Sequence, residues 1–220
     1  MDTRLLDMTP VRKKRIWSIR TDGAFMQTKE KKPEIVVFAG PNGSGKSTIT
    51  GEEWIKGPYI NADDIQREQG ITNIEAANIA DKMRYDFIAA GETFSFETVL
   101  STERKLNMLR DAKEKGYFIR GYFIMTCDPE LNVQRVHARV ESGGHSVDDD
   151  TVRRRYKKAL ANIPDFVSVC DVCHVYDNTD KPFRLIRKHI ADISFYSNEF
   201  WSDEEVQALL LNNPYKEREV

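Results

Sequence analysis

The most constraining feature of this 220-residue sequence is a glycine-rich string, GPNGSGKST, at residues 40–48. It follows a continuous apolar run at 35–39, which is typical of a strand buried on both faces of a parallel sheet. The string fits the pattern G-x-x-x-x-G-K-[S/T], whose proper context is a strand before it and a helix after it. The sequence therefore predicts a phosphate-binding loop, here called the phosphate loop, between a buried strand and a helix.

Each part of the phosphate loop has a physical task. The glycines let the backbone curl so that its N–H groups point at the β-phosphate of a nucleotide, beside the positive end of the following helix. Lys46 is expected to bridge the β- and γ-phosphates, and the Ser47 hydroxyl to bind Mg²⁺. ATP and Mg²⁺ are therefore the predicted ligands. The residues predicted to bind nucleotide are Gly40, Pro41, Asn42, Gly43, Ser44, Gly45, Lys46, Ser47 and Thr48.

Strand patterns alternate with helix patterns along most of the remaining chain. Further strands are expected at 58–62, 93–96, 117–126 and 169–176. Capping boxes at Thr72/Glu75 and Ser202/Glu205 mark the starts of two helices. We predict an α/β fold: a three-layer α/β/α sandwich with a mostly parallel sheet, of the P-loop NTPase, kinase-like type with a helical lid.

The chain divides by composition into three parts. Residues 1–32 carry nine Lys and Arg against four acids, and we interpret them as a flexible basic arm, more plausibly a solvated tail than a docking element. Residues 33–196 form the predicted kinase domain, with the lid at about 128–163. Residues 197–220 are expected to form a C-terminal helix and tail.

The lid contains a Ser-Gly-Gly at residues 142–144 that looks like the signature loop of an ABC transporter ATPase. The strand ending in Asp-Glu that should follow such a signature is absent, so we reject that interpretation. Instead, Ser146 and Asp149 are predicted to cap a helix on which Arg153 and Arg155 flank the apolar stripe while Arg154 points away. The preceding helix, opened by Asp128-Pro129, carries Arg135 and Arg139 one turn apart. Two arginine-bearing helices joined by a glycine hinge are typical of a phosphotransferase lid.

Two carboxylates follow predicted strands, at the edge where open α/β sheets bind ligands. Asp63 comes after the second strand, beside Asp64, which we expect to be a simple helix cap. Glu97, next to Thr98, comes after the third strand. Asp63 is the predicted group that accepts the proton of an attacking hydroxyl, and Glu97 with Thr98 are predicted to hold the acceptor.

Several other classes of protein are disfavoured. Residues 170–174 match C-x-x-C-H, but no export signal or second Cys/His pair supports haem or zinc, and we expect Cys170 and Cys173 to be core residues. The formal net charge is −2, so a nucleic-acid partner is not expected. No apolar run approaches the length of a membrane span, and we expect a cytoplasmic protein.

Taken together, these motifs resemble those of the zeta toxin family of P-loop kinases. The resemblance lies in FAGPNGSGKST, YINADD, FSFETVLS, RVHARVESGGH and NIP, and extends from Pro33 to about Asn178. It implies ATP- and Mg²⁺-dependent phosphorylation of a sugar hydroxyl of UDP-N-acetylglucosamine, with a cognate epsilon antitoxin that blocks the nucleotide site.

The resemblance also implies roles for individual residues. Asp63 falls on the catalytic base, Glu97 on the sugar-binding acid, Lys46 and Ser47 on the phosphate-loop pair, and Arg139 on the first lid arginine. The second lid arginine of the family has no aligned counterpart here, because His145 occupies the corresponding region. Arg153 or Arg155 is therefore expected to take its role. Asn61 stands where the family has an acid before the base.

Two alternatives stay open from the sequence. The acceptor could instead be another hydroxyl metabolite, such as a nucleoside or an antibiotic, because the phosphate loop and lid do not specify it. The protein could also be a non-catalytic ATP-binding switch that signals through its basic arm. The carboxylates of Asp63 and Glu97 count against a pure switch, which has no need of acceptor groups.

Overall fold

The computed structural model describes residues 32–50, 54–141 and 146–216. Within them the strands are β1 Glu34–Ala39, β2 Tyr59–Ile60, β3 Phe94–Thr98, β4 Phe118–Met125, β5 Val172–Asp177, β6 Phe183–His189 and β7 Asp192–Phe195. The helices are α1 Lys46–Ile49, α2 Ala62–Gln69, α3 Asn73–Ala90, α4 Glu103–Glu114, α5 Pro129–Glu141, α6 Asp149–Ala161, α7 Ile163–Val169 and α8 Asp203–Leu211.

The strands form one seven-stranded sheet in the order β2-β3-β1-β4-β5-β6-β7. The first five strands in this order are parallel, and β6 and β7 continue the sheet in antiparallel fashion. β1 is an interior strand, third in this order, and is fully buried, with β3 and β4 on either side of it. The predicted α/β fold with a mostly parallel sheet is therefore confirmed, and the carboxyl ends of β1, β2 and β3 meet at one edge.

Two hydrophobic clusters lie on opposite faces of the sheet, as the alternation of side chains along β1 requires. Ile35 and Val37 belong to the larger cluster, which also contains buried residues from α3, α4, α6, α7 and α8. Val36 and Phe38 belong to a smaller cluster, against which Trp54 and Tyr59 pack. Residues of β1 thus anchor both sides of the core.

The antiparallel hairpin of β6 and β7 was not predicted. β6 buries only Leu185 and Ile186, and its other residues, which include Phe183, are exposed or half-buried. The turn contains Ile190 at φ 56°, a conformation that usually calls for glycine or asparagine. The sequence therefore lacks both the apolar alternation and the turn residue that normally indicate a hairpin.

Several predicted boundaries move in the structure. The capping boxes at Thr72/Glu75 and Ser202/Glu205 are confirmed. The box at Ser146/Asp149 is wrong, because α6 begins at Asp149 and its cap is Asp148, which accepts a hydrogen bond from the Thr151 N–H at 3.0 Å. Aspartate is itself a strong capping residue, and a capping box is normally completed by the longer Glu or Gln rather than by an Asp such as Asp149.

Two predicted strands are shorter than expected because residues at one end of each belong to a helix instead. Ala62 opens α2, so the second strand contains only Tyr59 and Ile60. Val169 ends α7 and Cys170 is its C-cap, so the fifth strand begins at Val172. The predicted basic arm at 1–32 lies outside the described residues apart from Lys32, as do the proposed hinge glycines Gly143 and Gly144.

None of the helices in the described part of the chain is long and apolar enough to cross a bilayer.

Cys170 and Cys173 are buried in the larger hydrophobic cluster. A Cβ placed on Gly121 of β4 would lie 2.6 Å from the Cys170 sulfur, so the strand and this thiol are in close contact. Burial raises the pKa of the Cys170 thiol, and the adjacent Cys173 raises it further. His174 of the same motif stacks on Tyr122 instead, with ring centroids 5.5 Å apart.

We therefore expect the folded protein to show one reactive thiol, Cys127, which is only partly buried. A thiol reacts as its thiolate, and burial suppresses both ionisation and access at Cys170 and Cys173. Titration with Ellman's reagent at pH 8 should label Cys127 rapidly, and all three thiols only after denaturation. In a Cys127→Ser control the rapid phase should vanish; rapid labelling that persists in this variant would contradict the packing described here.

Candidate active site

The phosphate loop leaves β1 at Gly40 and enters α1 at Lys46. Gly43 and Gly45 have φ of 77° and 82°, a region that side chains rarely adopt. A Cβ on Gly43 would also lie 2.3 Å from the carbonyl oxygen of Asn132, and one on Gly45 would lie 2.2 Å from the Asn178 amide nitrogen. The loop is therefore glycine-rich because it is curled and packed against its neighbours.

Two asparagine side chains hold the loop from outside. The Asn132 amide on α5 donates to the carbonyl oxygen of Asn42 at 2.7 Å, and its own oxygen accepts from the Thr126 hydroxyl. The Asn178 amide, just after β5, donates to the carbonyl oxygen of Ser44 at 2.9 Å. Sequence reasoning missed both residues, because an isolated asparagine in a helix or after a strand carries no motif.

Lys46 is buried at the centre of the site, with a side chain only 8% exposed. Its ammonium donates to the carbonyl oxygens of Gly40 and Pro41, at 2.9 and 3.1 Å, and lies 3.6 Å from the carboxylate of Glu97. Burial lowers the pKa of Lys46, and the charges of Glu97 and Asp63 offset part of that effect. The ammonium is thus held in place before any phosphate arrives.

The Ser44 side chain supplies a further polar group to the loop. Its hydroxyl oxygen is buried, and no group in the described residues bonds it. A buried hydroxyl without a partner is costly. An anion bound in the curl of the loop would satisfy it, which agrees with the predicted binding of nucleotide phosphates.

The acceptor-side residues lie at the same edge of the sheet. Asp63 is exposed in the first turn of α2, where Asn61 caps the helix by accepting from the Asp63 N–H at 2.9 Å. Glu97 is partly buried near the end of β3, and its carboxylate accepts from the Tyr59 hydroxyl at 3.1 Å. The expectation that Asp64 caps this helix is wrong, because Asp64 lies within its first turn and pairs with Arg67 at 2.7 Å. The structure brings Glu97 to Lys46, and it reveals Tyr59 as a neighbour that the sequence did not indicate.

Thr98 joins β3 to the phosphate loop. Its carbonyl oxygen accepts from the Gly40 N–H at 3.2 Å, and its hydroxyl accepts from the Leu100 N–H at 3.1 Å. The hydroxyl therefore helps to shape the turn around Leu100, which has φ of 55°. Its predicted contact with an acceptor stays a prediction.

The side chains near the start of α1 include hydroxyl and carboxylate oxygens, the type of ligand that magnesium prefers. Ser47 and Thr48 are exposed there, and the carboxylates of Asp63 and Glu97 are close enough to influence Lys46. No cluster of three or more His, Cys, Asp or Glu side chains suited to a metal occurs among residues 32–50, 54–141 and 146–216. Mg²⁺ needs no such cage, because it is usually held by one or two protein oxygens, water and substrate phosphates.

The three candidate lid arginines, Arg139, Arg153 and Arg155, and the intervening Arg154 have different surroundings. Arg155 donates to the Asn42 side chain at 3.3 Å and so reaches the phosphate loop. Arg153 turns to Glu130 at 2.6 Å, and Arg154 is exposed with a bond to the Thr151 hydroxyl at 3.1 Å. Arg139 is exposed, and its charge lowers the pKa of Lys46.

Arg135, one turn before Arg139, has a different contact. It donates to the carbonyl oxygens of Asn178 and Thr179, both at 2.8 Å, and so ties α5 to the loop after β5. His145, which occupies the region of the family's second lid arginine, lies outside the described residues.

With this geometry established, comparison with known proteins identifies the family. The family model for zeta toxin matches residues 58–187, which is more than half of the chain. The chain belongs to the zeta toxin family. The match begins after the phosphate loop, so the loop motif and the family match support the assignment from separate parts of the chain. Together they identify the protein as a P-loop phosphotransferase.

One curated relative and several solved structures are similar. An uncharacterized protein of Haemophilus influenzae is 29% identical over 127 residues, which cover 55% of this chain and 91% of that protein. A structure from the PezAT chromosomal toxin–antitoxin system of Streptococcus pneumoniae has a TM-score of 0.53 and 17% identity, covering 82% of this chain and 79% of the other.

The complex of AvrRxo1-ORF1 with AvrRxo1-ORF2, solved with sulphate ions, has a TM-score of 0.62 and 16% identity. The match covers 76% of this chain and 62% of that chain, so it spans less than two thirds of the larger protein. The same complex solved with ATP has a TM-score of 0.61. At these identities the structural similarity shows a shared fold.

We expect Arg155→Ala to lower kcat by about 100-fold, the usual scale for one donor that stabilises transition-state charge. The KM for ATP should change less, because the effect is greatest in the transition state. Steady-state ADP release measures both. Arg154→Ala, one residue away but exposed, is the matched control and should stay within about twofold of the unmodified protein. An essential Arg154 with a dispensable Arg155 would refute this geometry.

Proposed function

We propose that the protein is an ATP-dependent kinase that phosphorylates a hydroxyl group of a UDP-activated amino sugar such as UDP-N-acetylglucosamine. The observation that carries the proposal is the distance of 3.6 Å between the Lys46 ammonium and the Glu97 carboxylate. It brings the phosphate-binding group and an acceptor-side acid together at one edge of the sheet. This arrangement favours a kinase over a pure nucleotide switch, which has no acceptor to hold.

The proposed reaction transfers the γ-phosphoryl group to the acceptor. The acceptor hydroxyl oxygen forms a bond to the γ-phosphorus, the bond from that phosphorus to the bridging oxygen breaks, and ADP leaves. Asp63 takes the hydroxyl proton. Its exposed position in the first turn of α2 leaves the carboxylate accessible to the acceptor. Glu97 holds the acceptor.

The positive side chains neutralise charge on the moving phosphoryl group. Lys46 would act from the phosphate loop, and Arg139 and Arg155 from the lid. Ser47 would hold Mg²⁺, which neutralises phosphate charge when it is bound. Arg155 is the second lid arginine in this proposal because, of the two candidates, it contacts Asn42 of the phosphate loop whereas Arg153 pairs with Glu130.

The biological part of the proposal is that this kinase is the toxin of a toxin–antitoxin pair, held inactive by an epsilon-type protein. Membership in the zeta toxin family supports it. The similarity in fold to a protein of the PezAT toxin–antitoxin system also agrees with it. The choice of a UDP-sugar as the acceptor is supported by the family resemblance and by the acceptor-side acid Glu97.

One experiment tests the acceptor directly. The protein is incubated with ATP, Mg²⁺ and a metabolite extract, and mass spectrometry identifies species that gain one phosphate group, with Lys46→Ala protein as the control. We expect phosphorylated UDP-N-acetylglucosamine only with the unmodified protein. A different phosphorylated metabolite would replace the sugar in this proposal, and ATP binding without acceptor-stimulated ADP release would indicate a switch.

The two adjacent aspartates provide a matched test of the base. Asp63→Asn should keep its affinity for ATP but lose about 10²- to 10⁴-fold in kcat, the usual contribution of one acid–base group. Asp64→Asn removes a neighbouring charge whose carboxylate is already paired with Arg67, and should retain kcat within about threefold. Single-turnover phosphoryl transfer measures the chemical step in both variants. Full activity in Asp63→Asn would place the base elsewhere and make Glu97 the candidate.

A further inference from the structure

The carboxylate of Glu97 is held from two sides by two different donors. The Tyr59 hydroxyl donates to one carboxylate oxygen at 3.1 Å, and the Lys46 ammonium lies 3.6 Å from the other. The Glu97 side chain is only 19% exposed. These two donors therefore replace most of the water molecules that would otherwise solvate the carboxylate charge. One donor comes from β2 and the other from the phosphate loop.

The position of Tyr59 is set by the sheet. Tyr59 on β2 pairs in register with Ser95 on β3, and Glu97 lies two residues further along β3 on the same face. The Tyr59 ring also lies edge-on to Phe38, with centroids 6.3 Å apart. Burial, and then the charge of Glu97, raise the pKa of Tyr59, so its hydroxyl stays protonated at neutral pH and remains a donor.

The contact with Lys46 competes with nucleotide binding. An ammonium has three protons, and in this structure its neighbours are the carbonyl oxygens of Gly40 and Pro41 and the carboxylate of Glu97. The β- and γ-phosphates require the same protons. A bound nucleotide therefore draws Lys46 away from Glu97 and leaves one oxygen of that carboxylate without its cation.

We propose that Tyr59 is a positioning residue of the acceptor site. Its hydroxyl holds one carboxylate oxygen of Glu97 in place, while the other oxygen exchanges its contact with Lys46 for one with a second hydroxyl of the acceptor when nucleotide binds. This inference rests on the proposed function of the site as a kinase. Its consequence is that nucleotide and acceptor bind cooperatively, with nucleotide first. The coupling is reciprocal, so the acceptor should also strengthen nucleotide binding.

The first arm of the test needs no acceptor. Calorimetry with AMP-PNP and Mg²⁺ should show that Glu97→Gln binds the nucleotide about fivefold more tightly, because the competing carboxylate charge is gone. Asp64→Asn controls for the general loss of a negative charge at this edge, and should bind within about twofold of the unmodified protein. Unchanged or weaker binding by Glu97→Gln, or equal tightening in both variants, would overturn the competition.

The second arm tests Tyr59 with UDP-N-acetylglucosamine as the probe. Tyr59→Phe keeps the ring against Phe38 and removes the hydroxyl, which contacts Glu97 and also interacts with the Asn61 side chain. The fold should be retained, which circular dichroism checks. The KM for the sugar nucleotide should rise about tenfold, the scale for one hydrogen bond to a charged group, while the KM for ATP stays within about twofold. Equal rises in both KM values, or no rise in either, would refute the positioning role.

The same probe measures the coupling. The unmodified protein should bind the sugar nucleotide at least about tenfold more tightly with AMP-PNP and Mg²⁺ than without them, and this difference should disappear in Glu97→Gln. Acceptor affinity that does not depend on AMP-PNP would overturn the proposed order. If the unmodified protein does not phosphorylate this sugar, the proposed acceptor is wrong while the AMP-PNP arm still decides the competition, and the metabolite found by mass spectrometry replaces the probe.

Discussion

The buried ammonium of Lys46 is the interaction on which the rest of the site depends. Burying a charge is expensive unless it is paired and hydrogen-bonded, and here the compensation comes from two backbone carbonyls and Glu97. The carbonyls belong to Gly40 and Pro41, so the curl of the phosphate loop is needed to aim them. The carboxylate belongs to β3, so the pairing of β1 with β3 is needed to supply it.

This arrangement depends on which strands are neighbours at this edge of the sheet. The parallel order β2-β3-β1 brings three carboxyl ends side by side, and each delivers one part of the site. β1 delivers the phosphate loop, β3 delivers Glu97, and β2 delivers Tyr59 and then Asp63 at the start of α2. Ligand sites at this edge are a general property of open parallel sheets.

Contacts from the β4 side of β1 connect the phosphate loop to α5 and α6. Asn132 on α5 and Arg155 on α6 both contact Asn42, one through the backbone carbonyl and the other through the side chain. Asn178 bonds the loop at Ser44, and Arg135 in turn holds the carbonyl of Asn178. The backbone of the phosphate loop is thus held by two neutral amides, those of Asn132 and Asn178, while the Arg155 guanidinium contacts only the Asn42 side chain.

The sequence by itself determined what depends on local patterns: the apolar run of β1, the spacing of the phosphate loop, two capping boxes, the parallel α/β class and the acids that follow strands. The hairpin of β6 and β7 was not predicted because its turn places Ile190 where glycine is usual. The start of α6 was misplaced because Ser146 and Asp149 resembled a capping box, whereas Asp148 caps the helix. Only the tertiary structure decided which side chains meet across elements, such as Tyr59 with Glu97, Asn178 with Ser44, and Arg155 rather than Arg153 with Asn42. The physical reason is that a motif constrains the backbone over a few residues, whereas these contacts depend on the register between strands and on the packing of helices distant in sequence.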